Sequence, residues 1–392
     1  MRVSEYFNLR REQPTLDFVD VDVHDDVRIF LDPHALRLLP STWGAECASL
    51  VENFFRTVIA AIKANDHATA LRLLGNLREP NETHLGLSKG RSRGRALGEF
   101  SAQDVWKALQ KSEAVRTGLI DDLEDTILMV EGIDRDIISD ITTNLIREPL
   151  IHYTQDACRA YGIPMEAEVD SGPLWNPNTG SWNHAFVELP TIEGMRLLLV
   201  PKAIVRRRMN YDAGEYYRHY ILEELQQQEL RANSSLVKLA RDGSKRVTFK
   251  SLKEKYGYGK PVIVRETLRK PELLQRYRDD RAARITPPMS HEAIAEIVGT
   301  QPPKWDELVS EVTKIQTGPS GAAEYEKAID RLLTALFYPA LTNPQLQFPI
   351  HDGRKRIDIT YTNVARFGFF YWLALHYPAP HPKHALLHDL PY

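Results

Sequence analysis

The spacing of apolar side chains changes period along this chain, and that change limits the fold more than any other feature. Between about Ala45 and Leu74, apolar Leu50, Val51, Phe54, Phe55, Val58, Ile59 and Ile62 recur every three or four residues, as on the buried face of a helix. Upstream, Leu16 to Val23 reads LDFVDVDV, nearly alternating and β-branched, which predicts a strand. Arg28 to Leu31 continues extended, and Asp32-Pro33 then reads as a helix start, with Asp as the cap. Asp121 to Tyr161 is helical by pattern and ends at Gly162 and Pro164.

β character follows. Trp175 to Trp182 is turn-rich, and Ala185–Leu189 and Met195–Val200 are expected as two strands joined through Glu193-Gly194. From Ala322, residues Tyr325, Ile329, Leu332, Leu333, Leu336 and Phe337 give an amphipathic helix that Pro339 stops. Residues 348–361 then read as two short strands around His351-Asp352-Gly353. The expected fold class is mixed α+β. It has a helical and β-hairpin N-terminal region and a partial α-β-β core at the C-terminus. The expected divisions are 1–165, 166–287, a linker and helix over 288–320, and 321–392.

Composition narrows the function classes. Formal net charge is −3, so any nucleic-acid surface must be a local patch. Two cysteines, Cys47 and Cys158, exclude a disulfide scaffold and a Cys-rich zinc module. Met1 to Gln13 carries no apolar signal core, and Phe367 to Leu375 is too short to span a bilayer. A cytoplasmic location is expected, with no membrane partner.

Charge is unevenly distributed. Residues 201–284 hold 21 Lys/Arg against 11 Asp/Glu, including Arg206-Arg207-Arg208 and tyrosines 211, 216, 217, 220, 256 and 258. Cations could neutralise phosphates there and tyrosines could stack on bases. A charged helical region with an aromatic core gives the same composition. Gly86 to Gly98, with Lys89, Arg91, Arg93 and Arg95, has the glycines and guanidinium groups of a phosphate-contacting loop, or of a solvated one.

The C-terminal segment carries the most specific chemistry. Glu326 sits on the amphipathic helix. About thirty residues later GRKRIDITYTN places Asp358 in a β-branched strand, with Arg356, Asp358 and Thr360 on one face. A helix Glu beside a strand Asp is one way to begin a site for a hard cation such as Mg²⁺, which takes oxygen ligands and usually one or two carboxylates. The bland alternative pairs Glu326 with Lys327 or Arg331, and Asp358 with Arg354 or Arg356.

This pattern, G-x-x-x-Y-E at Gly321, Tyr325 and Glu326, then a glycine turn and R-x-D at Arg356 and Asp358, resembles the PD-(D/E)xK, or restriction-endonuclease-like, nucleases. The resemblance covers roughly the last 70 residues. It implies Glu326 as the helix carboxylate, Asp358 as the central metal ligand, Mg²⁺ as cofactor and phosphodiester hydrolysis of DNA. It also implies a bacterial setting, in defence against foreign DNA. The family further needs a strand bearing Glu-x-Lys. After Asp358 the chain runs into GFFYWLALHY and PAPHPKHALLHDLPY, where Asp389 is the only later acid. The expectation is therefore a truncated or frameshifted nuclease, weak or inactive as this chain. Lys89, Arg91, Arg93, Arg95, Arg206, Arg207, Arg208, Arg354 and Arg356 are the expected nucleic-acid contacts. DNA is the expected partner, with RNA, a second copy or a partner protein as alternatives. The competing function is a non-enzymatic module for binding nucleic acid or protein.

Three further clusters are weighed. Asp20 and Asp22, with Asp25 and Asp26 beyond, are read as the acidic polar face of a half-exposed strand rather than a cation site. Glu131, Asp134, Asp136 and Asp140 are read as helix-start acids, since the EF-hand glycine and glutamate are missing. Trp175, Trp182 and His184 are read as local packing.

Overall fold

The helical period found in the sequence does form helix, in two pieces. Thr42–Lys63 is capped by Ser41, whose side chain accepts from Gly44 N. His67–Leu74 is capped by Asp66, which accepts from Thr69 N. The break falls at Asn65, whose φ of 56° is left-handed. The single helix expected over 45–74 is therefore a hairpin of two, because a short polar side chain tolerates that conformation and Asp66 starts a new helix. The structure is a computed structural model, and it describes residues 1–86, 102–240, 243–284, 286–350, 354–377 and 385–386.

Asp32 caps Pro33–Leu38, as the sequence predicts, accepting from His34 N. The helical run to Tyr161 comprises Asp125–Met129, Arg135–Leu145 and Arg147–Tyr161, closed by left-handed Gly162. A helical layer over 213–283 follows, and at Tyr217–Ile221 it widens into a π turn.

The strands are short and differ from expectation in two places. Leu16 to Val23 forms no ladder. Leu16, Phe18, Val19, Val21 and Val23 are all buried, and so are Asp17 and Asp20. The segment is an extended crossing of the core whose backbone bonds singly, for example Val19 N to Val200 O. Alternation failed as a guide because both faces are enclosed. In the middle region Glu193 and Gly194, both at positive φ, do turn the chain, but between Thr191–Ile192 and Met195–Arg196. Phe186–Leu189 pairs with Glu166–Asp170 instead.

One apolar core runs from Val3 to Val298 and includes Tyr338. Each fully buried Leu, Val or Phe in it contributes about 1.5–3 kcal/mol relative to exposure. The C-terminal unit is Ala322–Phe337 packed on a hairpin of Leu341–Ile350 and Lys355–Asn363, with a small core of Leu341, Ile359 and Tyr361. Ala385–Leu386 pairs with the second hairpin strand at Tyr361 and Thr360. The order helix, strand, strand matches the sequence reading, although the first strand starts earlier than expected. The helix is rotated from that reading. Tyr325 and Leu336 are exposed, while Ala328, Asp330, Thr334 and Ala335 are buried. The cause is a second docking face: Asp330 pairs with Arg11 at 2.5 Å, against the N-terminal body.

The unit is held to that body by further polar links. Asn343 N donates to Asp17 Oδ1, His291 Nε2 lies 2.9 Å from Ala335 O, and the Arg366 guanidinium donates to Leu38 O.

Candidate metal centre

Each carboxylate of the C-terminal pair is positioned by a different element. Gly321 precedes the helix at a close approach: a Cβ there would lie 2.1 Å from Gln316 O, so no side chain fits. The helix begins with Tyr325 N bonding back to Gly321 O, which places Glu326 within its first turns, half-buried. Asp358 lies mid-strand. Ile357, Ile359 and Tyr361 point into the small core and leave Arg356 and Asp358 on the outer face, as the alternation predicts. Thr360 departs from that pattern and is buried.

The two side chains meet on Gln347, which the sequence reading missed. Gln347 falls between the paired positions Leu346↔Ile359 and Phe348↔Ile357, so it stands across from Asp358. Its Nε2 donates to Glu326 Oε1 at 2.8 Å and to Asp358 Oδ1 at 3.4 Å. The two oxygens are therefore no farther apart than those two bonds laid end to end. Gln347 has φ of 52°, an uncommon conformation for a side chain with a Cβ inside a strand. The only sequence hint was its position opposite Asp358, which requires the register to be known.

The bland pairings do not form at Glu326. Arg331 reaches Glu311 at 3.0 Å instead. Arg354 and Arg356 are exposed on the hairpin, and Arg356 faces Pro349 across the ladder. The oxygen donors fit a hard cation in kind. In number they make half of a site: among the described residues no group of three His, Cys, Asp or Glu side chains could hold a metal. The turn 351–353 and Asp389 lie outside the described residues.

The other acids take structural roles. Asp20 is enclosed and accepts from Ser4 N at 2.8 Å and Ser4 Oγ at 2.6 Å, with burial holding its pKa above the usual range. Asp22 binds the Met1 amine at 2.8 Å. The half-exposed acidic strand face is thus corrected: one acid points inward and the other is tied to an amine. Asp134 caps the Arg135–Leu145 helix, accepting from Asp136 N and Ile137 N, as read from the sequence.

Part of the cationic region also folds inward. Arg206 is buried, donates to Ala203 O and Val205 O, and has Asp32 as its nearest counter-charge. The structure thus removes it from the expected nucleic-acid contacts, because strand pairing with Phe30 draws position 206 into the core. Arg207 is exposed and pairs with Glu296 at 3.2 Å, and Arg208 is exposed. Tyr216, Tyr217 and Tyr220 pack inside, with hydroxyls on Thr267, Gly257 O and Asp280; Tyr211 is buried too, and Tyr256 binds Glu229. Of the six tyrosines only Tyr258 is largely exposed. Lys255, Arg278 and Arg281 pair with Glu229, Asp125 and Glu215. The aromatic-core alternative therefore accounts for this composition. Lys89, Arg91, Arg93 and Arg95 lie outside the described residues.

Trp175 and Trp182 face each other in a hairpin at 5.5 Å, and their indole N–H groups donate to Asn53 Oδ1 and Leu73 O. His184 is exposed, 3.7 Å from Asp170. Local packing describes the two tryptophans, and His184 stands outside it.

What these features define is a mixed α+β protein whose body buries several charged side chains and whose C-terminal unit carries an outward pair of carboxylates. The chain belongs to DUF8370, a family described as a domain of unknown function, whose model matches residues 8–212, more than half of its length. Glu326 and Asp358 lie beyond the matched stretch. No curated protein and no solved structure matches the chain. No helix among the described residues is long and apolar enough to cross a membrane.

Proposed function

We propose that the C-terminal unit is the helix–hairpin part of a restriction-endonuclease-like nuclease and supplies two ligands of a Mg²⁺ site for DNA phosphodiester hydrolysis. The observation that carries this reading is the convergence of Glu326 and Asp358 on one exposed amide. Carboxylates brought together without a cationic partner repel, and a divalent ion offsets that cost. Mg²⁺ bound between them would activate a water and stabilise the leaving oxygen. The chain's own part is positional: the helix fixes Glu326, the strand fixes Asp358, and the exposed Arg356 on the same face suits a phosphate oxygen. With only two acids at the centre among the described residues, this chain alone is expected to cleave poorly. A bacterial defence role follows from the family resemblance only.

Metal binding is the decisive test. Purified protein should take up Mn²⁺, a paramagnetic stand-in for Mg²⁺, and both Glu326→Gln and Asp358→Asn should abolish uptake. Equal uptake by all three proteins would end the reading. Robust plasmid nicking lost in Asp358→Asn would keep the site and overturn the expectation of weak activity.

A further inference from the structure

We infer that a cleft on the N-terminal body, lined by none of the residues of the Glu326–Asp358 centre, binds a nucleotide-sized phosphate ester. This goes beyond the nuclease reading and does not depend on it. The cleft has a volume of about 580 Å³, with Arg28, Arg135, Arg207 and Arg208 among its lining residues. That volume lies in the range of small-molecule sites, roughly 300–1,000 Å³.

The charges in the cleft are unequally satisfied. Arg2 is spent on the carbonyls of Asp20, Val298 and Gly299, and Arg207 on Glu296. Asp22 is spent on the Met1 amine. Arg28 and Arg208 make no hydrogen bond or ion pair among the described residues, and Arg135 has only the face of Phe30, 4.8 Å away. The geometry sharpens this. Phe30 pairs with Arg206 and Leu31 with Val205; Arg28 and Arg208 stand just beyond the same end of that short ladder, one on each segment, and both line the cleft. Uncompensated like charges lining one cleft repel. A phosphate between them reverses the sign of the interaction, and guanidinium forks match its oxygens in pairs.

The rest of the lining limits what the anion can be. Asp25 and Asp26 share the cleft. A long uninterrupted polyanion would be repelled there, whereas a compact ligand with a phosphate end and a hydrogen-bond-donating end suits both. Nucleotides have both ends: phosphates for the arginines, sugar hydroxyls and base amino groups for the carboxylates.

Titration calorimetry of the full chain with ATP and GTP as probes, and with pyrophosphate and adenosine as halves of the ligand, tests the assignment. At least one nucleotide should bind, and Arg28→Gln and Arg208→Gln should each weaken it by about tenfold or more. Pyrophosphate should compete and adenosine should bind weakly. Glu326→Gln should leave the nucleotide affinity unchanged, so failure of the metal centre and failure of this cleft are distinguishable. Both arginines are exposed, and unchanged thermal melting of the variants will show that the fold is kept. Absence of binding by both nucleotides at millimolar concentration, or affinity unmoved in both arginine variants, would overturn the proposal. So would a short single-stranded oligonucleotide that binds more tightly than either nucleotide through the same arginines, which would assign the cleft to a nucleic-acid strand.

Discussion

In the N-terminal body a set of charged side chains, Asp32, Glu124, Arg147 and Arg206 among them, is buried, and folding uses them. In the C-terminal unit the two acids, one on the helix and one on the hairpin, face outward and one amide holds them. Arg147 is the clearest case of the first kind. It is 2% exposed, pairs with Glu82, and donates to Asn144 Oδ1, while burial pulls its pKa down to about 9. Asp358 is the clearest case of the second. The contrast teaches that charge density in a sequence is a poor locator of sites. Within residues 201–284 the buried cations Lys202, Arg206 and Arg281 serve the fold, while most of the others are exposed.

That contrast can be broken by substitution. The largest effect is expected at Arg147→Met, which leaves buried Glu82 with only the more distant Arg196, 3.8 Å away, as counter-charge. Loss of one partner of a buried pair costs about 3–5 kcal/mol, to be read from urea unfolding. A cost below about 1 kcal/mol would mean that the inward charges of the body are not structural after all.

A smaller, pH-dependent effect is expected at His291, which joins the two regions. Burial, and then the nearby Lys202 charge, push its pKa down to about 4. The folded ring refuses a proton that the unfolded ring takes up below about pH 6.5. Its contribution to stability is therefore complete above that pH and is lost as pH falls toward 4. At pH 5 the loss amounts to about 2 kcal/mol. His291→Gln should flatten this part of the stability profile relative to the wild-type chain. The buried carboxylates with raised pKa values, Asp17 and Asp32 among them, change stability in the opposite sense and are common to both proteins.

The smallest effect is expected at the outward acids. Glu326→Gln and Asp358→Asn should each change stability by less than about 0.5 kcal/mol, as for other exposed positions. A large loss at either would show the pair to be part of the packing and would weaken the case for a metal.

Local signals in the sequence were legible where one interaction decides the outcome. The caps at Asp32 and Asp134, the stop at Gly162 and the turn at Glu193-Gly194 all form, because each is settled by neighbours within a few residues. Period failed where enclosure was two-sided. LDFVDVDV alternates as a half-exposed strand does, yet Asp17 and Asp20 find partners inside the body: Tyr153 and the backbone of Asn343 for one, Ser4 for the other. Nothing local to residues 16–23 announces those partners. The same limit hid the rotation of the Ala322–Phe337 helix, since Arg11 lies more than three hundred residues from Asp330. At the candidate centre both carboxylates were legible from spacing and family resemblance. Gln347 was not, because an amide in a strand has no sequence signature.

Gln347 also has a consequence for the order of events at that centre. On the proposed reading, an ion binding through Glu326 Oε1 and Asp358 Oδ1 would compete with the amide N–H groups for their lone pairs. As it stands, a neutral amide clasps the hairpin to the helix; Glu326 and Asp358 would hold the ion in its place, and the glutamine would lose those two acceptors. Any change in the ion's occupancy would then register as a change in the mobility of one side chain, and the ¹⁵N resonance of that amide is where to look for it.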